Sequence, residues 1–268
     1  MTEIVEQNVA ASGSRIDPMH QFEVQPIFDG FNLGGQQIAF TNSALWMVLT
    51  LGVVWLFMLG GMKRQLVPGR WQVAVEGVTG FIDNMLRANV GSEGRKYTPY
   101  VFSLFMFILV ANLLGMLPVG VFGLHPFTVT SHLTVTGVLA IVSFAIVLVI
   151  GFWKHGFHFF SLFIPHGTPL PMIPFIFVVE LMSFLVRPFS LALRLFVAMT
   201  AGHILMKVLA GFIINGANAG VGTALLVSVP TFFLMIGITM LELLVAAIQA
   251  YVFALLTSLY INDAVNLH

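Results

Sequence analysis

Five apolar runs and one amphipathic run divide the chain after residue 41. The run Ser43–Met62, rich in Leu, Val, Trp and Phe, is long enough for one membrane span and stops at Lys63-Arg64. From Pro68 to about Val90 the pattern changes. Trp71, Val75, Val78, Ile82 and Met85 recur at helical spacing, while Gln72, Glu76, Thr79, Asp83 and Arg87 take the other faces. That predicts an amphipathic helix lying along the membrane surface or packed on a partner. Residues 91–98, with Glu93, Arg95 and Lys96, read as an exposed loop. A second span runs from about Tyr100 to Leu117, ended by Pro118, and a third from about His132 to Trp153, stopping at Lys154-His155. Residues 156–174 carry Pro165, Gly167, Pro169, Pro171 and Pro174 and predict a re-entrant or surface loop.

The remainder is two long apolar stretches, about 171–214 and 223–260, separated by Asn215-Gly216-Ala217-Asn218. Either stretch, as one helix, is far longer than a hydrocarbon core of about 30 Å. The first must be broken, as at Arg187-Pro188, or strongly tilted; the second is too long to stand upright, with Pro230 as a kink or entry point. Basic residues set the orientation. The segment between the first two spans holds Lys63, Arg64, Arg70, Arg87, Arg95 and Lys96, Lys154 follows the third span, and the segments 119–131 and 215–222 hold no Lys or Arg. The positive-inside rule puts the basic side in the cytoplasm (or the mitochondrial matrix), the amino terminus outside and the carboxyl terminus inside. The count closes when the two long stretches cross once each, as a tilted hairpin.

Composition agrees with a membrane chain: 58% of residues are hydrophobic and 8% charged, where a soluble domain carries about 25% charged. The expected class is an all-α polytopic membrane protein with three upright spans, one surface amphipathic helix and a hairpin of two long tilted helices. Residues 1–41 are expected as a polar tail, with turn formers Asp29-Gly30 and Gly34-Gly35 and no signal-peptide pattern, and 42–268 as one transmembrane domain with its hairpin at about 171–262. Zero net charge and the lack of a basic run argue against a nucleic-acid partner, and the absence of cysteine excludes disulfides and thiolate metal sites. His132, His155, His158 and His166 fall at span ends or in loops and read as interfacial residues, not metal ligands. No phosphate-binding GxxxxGK[ST] run or GxSxG elbow is present, so neither nucleotide hydrolysis nor acyl chemistry is expected of this chain.

The chemistry lies in the polar residues of the hairpin. Arg194, within SLALRLFVAMTAGH, has no acidic residue within ten positions on either side. An intramembrane charge is costly and marks a functional site by default. Glu180, Arg187 and Arg194 are seven apart and share one helical stripe, each about 10.5 Å from the next. His203, nine residues past Arg194, faces the other way, and Glu242 and Gln249 are again seven apart on the second long helix. His and Glu can both take and release protons. Arg stays protonated and offers no acceptor, so it attracts carboxylates and blocks a proton. Blander readings stand beside these: Arg187 and Lys207 snorkelling at helix ends, Glu180 as a structural partner of Arg187, His203 as a satisfied interior histidine, and Arg194–Glu242 as a buried ion pair. Asn112, in NLLGMLP, is an amide deep in the second span and needs a partner helix or an aqueous cavity.

SLALRLFVAMTAGH with the preceding residues from Glu180, the ending LELLVAAIQAYVFALLTSLYINDAVNLH, and NLLGMLP resemble subunit a of the F-type ATP synthase motor, from the first span to the carboxyl terminus. The AGH form and the ending are most similar to the alphaproteobacterial and mitochondrial branch. The resemblance implies a stator whose tilted hairpin packs on a ring of c subunits, each with a membrane carboxylate. Two offset half-channels lead to that carboxylate, and peripheral-stalk b subunits, lipid and, indirectly, a soluble ATPase sector are further partners. No cofactor or metal is implied, and ATP chemistry lies in the soluble sector.

By the same resemblance, Arg194 matches the essential ring-facing arginine and Gln249 the glutamine near it. His203 and Glu242 match paired channel positions, Asn112 an amide of the outer half-channel, and Glu180 and Asp263 acidic positions of the inner side. One departure is Ala198, where the family carries an Asn four residues after the arginine. The competing class is a secondary transporter that holds an anionic substrate on Arg194; it predicts matching repeat halves, which the sequence lacks.

Overall fold

The computed structural model describes residues 26–33, 36–62, 69–117, 128–163 and 170–266. Six long helices follow a short antiparallel hairpin of β1 (Pro26–Leu33) and β2 (Gln36–Thr41). The helices are α1 (Asn42–Gly61), α2 (Arg70–Val90), α3 (Thr98–Met116), α4 (Leu133–His155), α5 (Ile173–Asn218) and α6 (Val229–Val265). The helical membrane architecture agrees with the expectation, and five helical stretches are long and apolar enough to cross a membrane among the described residues. The hairpin was not foreseen. Asp29 and Gly30, expected to make a turn, lie inside β1 where the register shifts between Phe28 and Phe31. An extra residue there is accommodated as a bulge, a use of Gly that a turn reading misses. Gly34-Gly35 lies outside the described residues.

Local signals account for the ends. Thr41 caps α1, its hydroxyl accepting from the Ala44 amide. Gly91 (φ 83°) ends α2 and Gly156 (φ 55°) ends α4, each in backbone conformations that side chains resist. Residues 91–96, expected as a loop, form a short 3-10 helix instead. Gly94 is buried there, with no room for a Cβ beside the Leu86 carbonyl, so the segment folds back on α2. Likewise the Pro-rich segment after α4 contains 3-10 turns at Gly156–Phe163 and Leu170–Met172, the first burying Phe159 and Phe163.

The partner of the amphipathic helix is the chain itself. Val75, Ile82, Met85, Leu86 and Val90 are buried. Trp71 Nε1 donates to the Phe57 carbonyl of α1 (3.0 Å), and Asn89 Nδ2 donates to Ser258 Oγ of α6 (2.8 Å). α3 is the most enclosed span. Ala246, Ala250 and Ala254 of α6 recur every four residues and are fully buried, which lets backbones approach closely. The outer faces of α1, α5 and α6 expose large side chains such as Trp55, Phe189, Val197, Leu241 and Leu244, as a surface in contact with lipid or an apolar partner does.

α5 runs unbroken for 46 residues, through Pro188. Its length is about 69 Å, so it tilts or projects beyond a hydrocarbon core of about 30 Å. Of the two alternatives, a break at Arg187-Pro188 or one continuous long helix, the structure has the continuous helix that the hairpin reading expects. Pro188 removes one helical hydrogen bond but is buried against neighbouring helices, where that loss is tolerated. The expected divider Asn215–Asn218 is also corrected: those residues are the last turn of α5, and only Ala219 and Gly220 (φ 119°) connect it to the next helical turn, Val221–Thr223. Gly216 is buried because Ser228 packs directly on it, with Ser228 Oγ donating to the Ile213 carbonyl (2.8 Å). A π-helical turn, Ala224–Ser228, then leads into Pro230 and α6. Pro230 thus sits in the first turn of α6, where a proline is tolerated, with the irregularity taken up by the π-turn before it.

Candidate functional site

Four elements meet around His203. It lies on the buried face of α5, half a turn from Arg194, and is 7% exposed. Its Nδ1 faces Glu242 Oε1 of α6 at 3.5 Å, and Glu242 is 3% exposed. Gly202 makes the approach possible, since a Cβ there would sit 2.6 Å from Oε1. On the other side of the ring, Nε2 meets Thr128 Oγ1 at 2.6 Å, with the direction set by the imidazole tautomer. Thr128 precedes a 3-10 turn (Val129–Ser131) that leads into α4, and Gly115 of α3 leaves the space its side chain fills.

The same turn carries the next polar group. Thr130 Oγ1 donates to Asn112 Oδ1 (2.7 Å), and Asn112 Nδ2 donates to the Ala246 carbonyl (3.2 Å). Thr130 and Asn112 are both fully buried. The small side chain of Ala246 is what exposes its carbonyl to α3. Thr200 of α5 closes the ring of contacts, donating to the Ser131 carbonyl (3.3 Å). Asn112, Thr130, Thr128, His203 and Glu242 thus form a polar cluster inside an apolar bundle. Neither carboxylate oxygen of Glu242 accepts a hydrogen bond among the described residues, and His203 Nδ1 lies just beyond that reach at 3.5 Å. A buried carboxylate so placed next to an imidazole can accept and release a proton with little rearrangement.

Arg194 belongs to the opposite side of α5. It is exposed and makes no hydrogen bond or ion pair among the described residues. Arg187, on the same stripe, is bound: its Nη1 donates to Asp263 Oδ2 (2.7 Å), and its guanidinium lies 5.5 Å from the Phe184 ring centroid and 5.1 Å from that of Tyr260. Two pairings expected from the sequence are absent among the described residues. Arg187 pairs with Asp263 of α6 and not with Glu180, and Glu242 faces His203 and not Arg194. For Arg187, a contact between helices replaces a pairing inferred from local spacing. Glu180 and Gln249 are half-buried on α5 and α6 and make no hydrogen bond or ion pair among the described residues.

His203, Glu242 and Asn112 are thus brought together, while Arg194, Glu180, Gln249 and Asp263 lie apart from them. Thr128 and Thr130 were missed. Their signal was the hydroxyl-rich run Thr128–Ser131 directly before an apolar span, where side chains that bond locally compete with helix. No group of three His, Cys, Asp or Glu residues that could hold a metal ion occurs among the described residues.

Known proteins are similar to this chain over nearly its whole length. The chain is 72% identical over 261 residues to a protein of Rhizorhabdus wittichii described as ATP synthase subunit a, covering 97% of this chain and all of the relative. A Sphingopyxis alaskensis protein of the same description is 74% identical with the same coverage, and one from Zymomonas mobilis is 56% identical over 96% of this chain and all of the relative. The family described as ATP synthase A chain matches residues 44–262, from the start of α1 to the last turn of α6. With all but the outermost residues of the helical bundle inside that match, the chain belongs to the ATP synthase A chain family.

Proposed function

We propose that the chain is the proton-translocating stator subunit of a rotary F-type ATP synthase. It is a multi-pass membrane protein and works as a member of that complex. The observation that carries the mechanism is the division of α5. One face presents Arg194, an exposed guanidinium without a counter-charge among the described residues, and the opposite face buries His203 against Glu242.

In this reading Arg194 faces a ring of c subunits and meets each arriving carboxylate by charge. A guanidinium cannot accept a proton, so it also separates two half-channels. Asn112, Thr130, Thr128, His203 and Glu242 line the outer half-channel. Glu180 belongs to the inner one, and Gln249 approaches the arginine from α6. Ala198, in place of the family's amide, leaves the guanidinium free of a local hydrogen-bond partner. The proton is the coupling ion that suits a histidine in the path. Peripheral-stalk b subunits are further partners, and the ATP-hydrolysing sector is a separate assembly.

In this reading the five candidate spans each cross once, and the basic segments around Arg70–Lys96 and Lys154 support a carboxyl terminus in the cytoplasm of a bacterial inner membrane. A secondary transporter is not favoured, given membership of this family. Arg194→Ala, in inverted membrane vesicles with the complex assembled, is expected to abolish ATP-driven proton pumping. Full pumping by that variant sinks the proposal.

A further inference from the structure

We propose that Asp263 masks Arg187, so that α5 offers one cation to its partner surface instead of two. The proposal rests on the reading of Arg194 as the ring-facing charge. Arg187 and Arg194 are seven residues apart, so they lie within about 20° of each other around the helix and about 10.5 Å apart along it. Both are permanent cations. Left alone, Arg187 would extend the positive stripe by two turns and hold an arriving carboxylate away from Arg194.

Three contacts take it out of play. Asp263 Oδ2 accepts from Nη1 at 2.7 Å, and the rings of Phe184 and Tyr260 lie 5.5 and 5.1 Å from the guanidinium. Two of these three groups come from α6, so the masking depends on the hairpin being closed. α6 is itself held there, with His155 Nε2 of α4 3.0 Å from the Val265 carbonyl. Asp263 is then a positioning residue, acting on the ring through Arg187, and not a proton carrier.

The two partners make opposite predictions. Asp263→Asn leaves a second bare cation on the stripe, whereas Arg187→Gln leaves one cation, Arg194, as before. Proton pumping is measured in vesicles containing the assembled complex, with Arg194 intact throughout. Asp263→Asn is expected to lower the rate by about tenfold, Arg187→Gln by no more than about twofold, and the double variant to return to the level of Arg187→Gln. A purely structural clamp predicts equal damage from either single change. A proton-carrying Asp263 predicts no rescue in the double variant. Either pattern overturns the proposal, as does wild-type pumping by Asp263→Asn. If Asp263→Asn fails to assemble, assembly of the double variant supports masking and its failure overturns it. Because Arg194→Ala tests the stator reading separately, failure of one proposal is distinguishable from failure of the other.

Discussion

Thr128 Oγ1 and His203 Nε2 lie 2.6 Å apart, joining the turn before α4 to the buried face of α5. The contact fixes the ring so that Nδ1 points at Glu242. Thr128→Val keeps the shape and removes the hydroxyl, leaving a buried ring nitrogen unsatisfied at a cost of about 1–3 kcal/mol. Proton pumping in vesicles should fall by roughly tenfold, and Thr128→Ser should restore it. Equal rates for Val and Thr at this position would remove the hydroxyl from the path.

Gly202 tests the spacing between His203 and Glu242. A Cβ would lie 2.6 Å from Glu242 Oε1 and 2.8 Å from its Cδ, so the carboxylate must move. Gly202→Ala should slow pumping several-fold while the complex assembles normally, and Gly202→Val should slow it further. Unchanged rates in Gly202→Val would show that the carboxylate position is not critical.

Asn112 satisfies both Thr130 and the Ala246 carbonyl. Asn112→Leu leaves the buried Thr130 hydroxyl without that acceptor and should lower stability by about 1–3 kcal/mol. Thermal unfolding of the detergent-solubilised complex would read this as a lower midpoint. Asn112→Gln, too long for both contacts, should not rescue it.

At the surface, Lys154 Nζ donates to Glu93 Oε2 (2.6 Å), and that bond, with the nearby positive charge, lowers the Glu93 carboxyl from its ordinary value of 4.5. A lowered carboxyl contributes stability above the ordinary value, lost as pH falls through the lowered one. Hydrogen exchange of the Gly91–Lys96 amides, corrected for its intrinsic pH dependence, should hold steady from neutral pH to 4.5 and quicken below it. Glu93→Gln should exchange quickly throughout. Exchange in the wild type that never quickens would mean the pair does not order this segment.

What was legible beforehand follows the range of the forces involved. Spans came from runs of apolar residues, and the opposite facing of Arg194 and His203 from a nine-residue spacing, both local properties. Arg187 shows the limit. Its partner Asp263 is 76 residues away, so stripe geometry offered only Glu180. Asn215–Asn218 has turn-forming residues, yet packing of Ser228 on Gly216 keeps it helical and shifts the turn to Ala219-Gly220. Thr128 and Thr130 carry no charge, and their importance appears only when His203 and Asn112 are brought against them.

The two-residue connection between α5 and the following helical turn has a mechanical consequence. A long loop would act as a slack tether, letting each helix slide under load. With Ala219 and Gly220 alone between them, and Ser228 fastened to Ile213 just below, this end of the hairpin has little compliance. The Arg187–Asp263 contact fastens α5 to α6 a second time. A sideways push on one helix is therefore shared with the other, and the pair resists torque as a bracket.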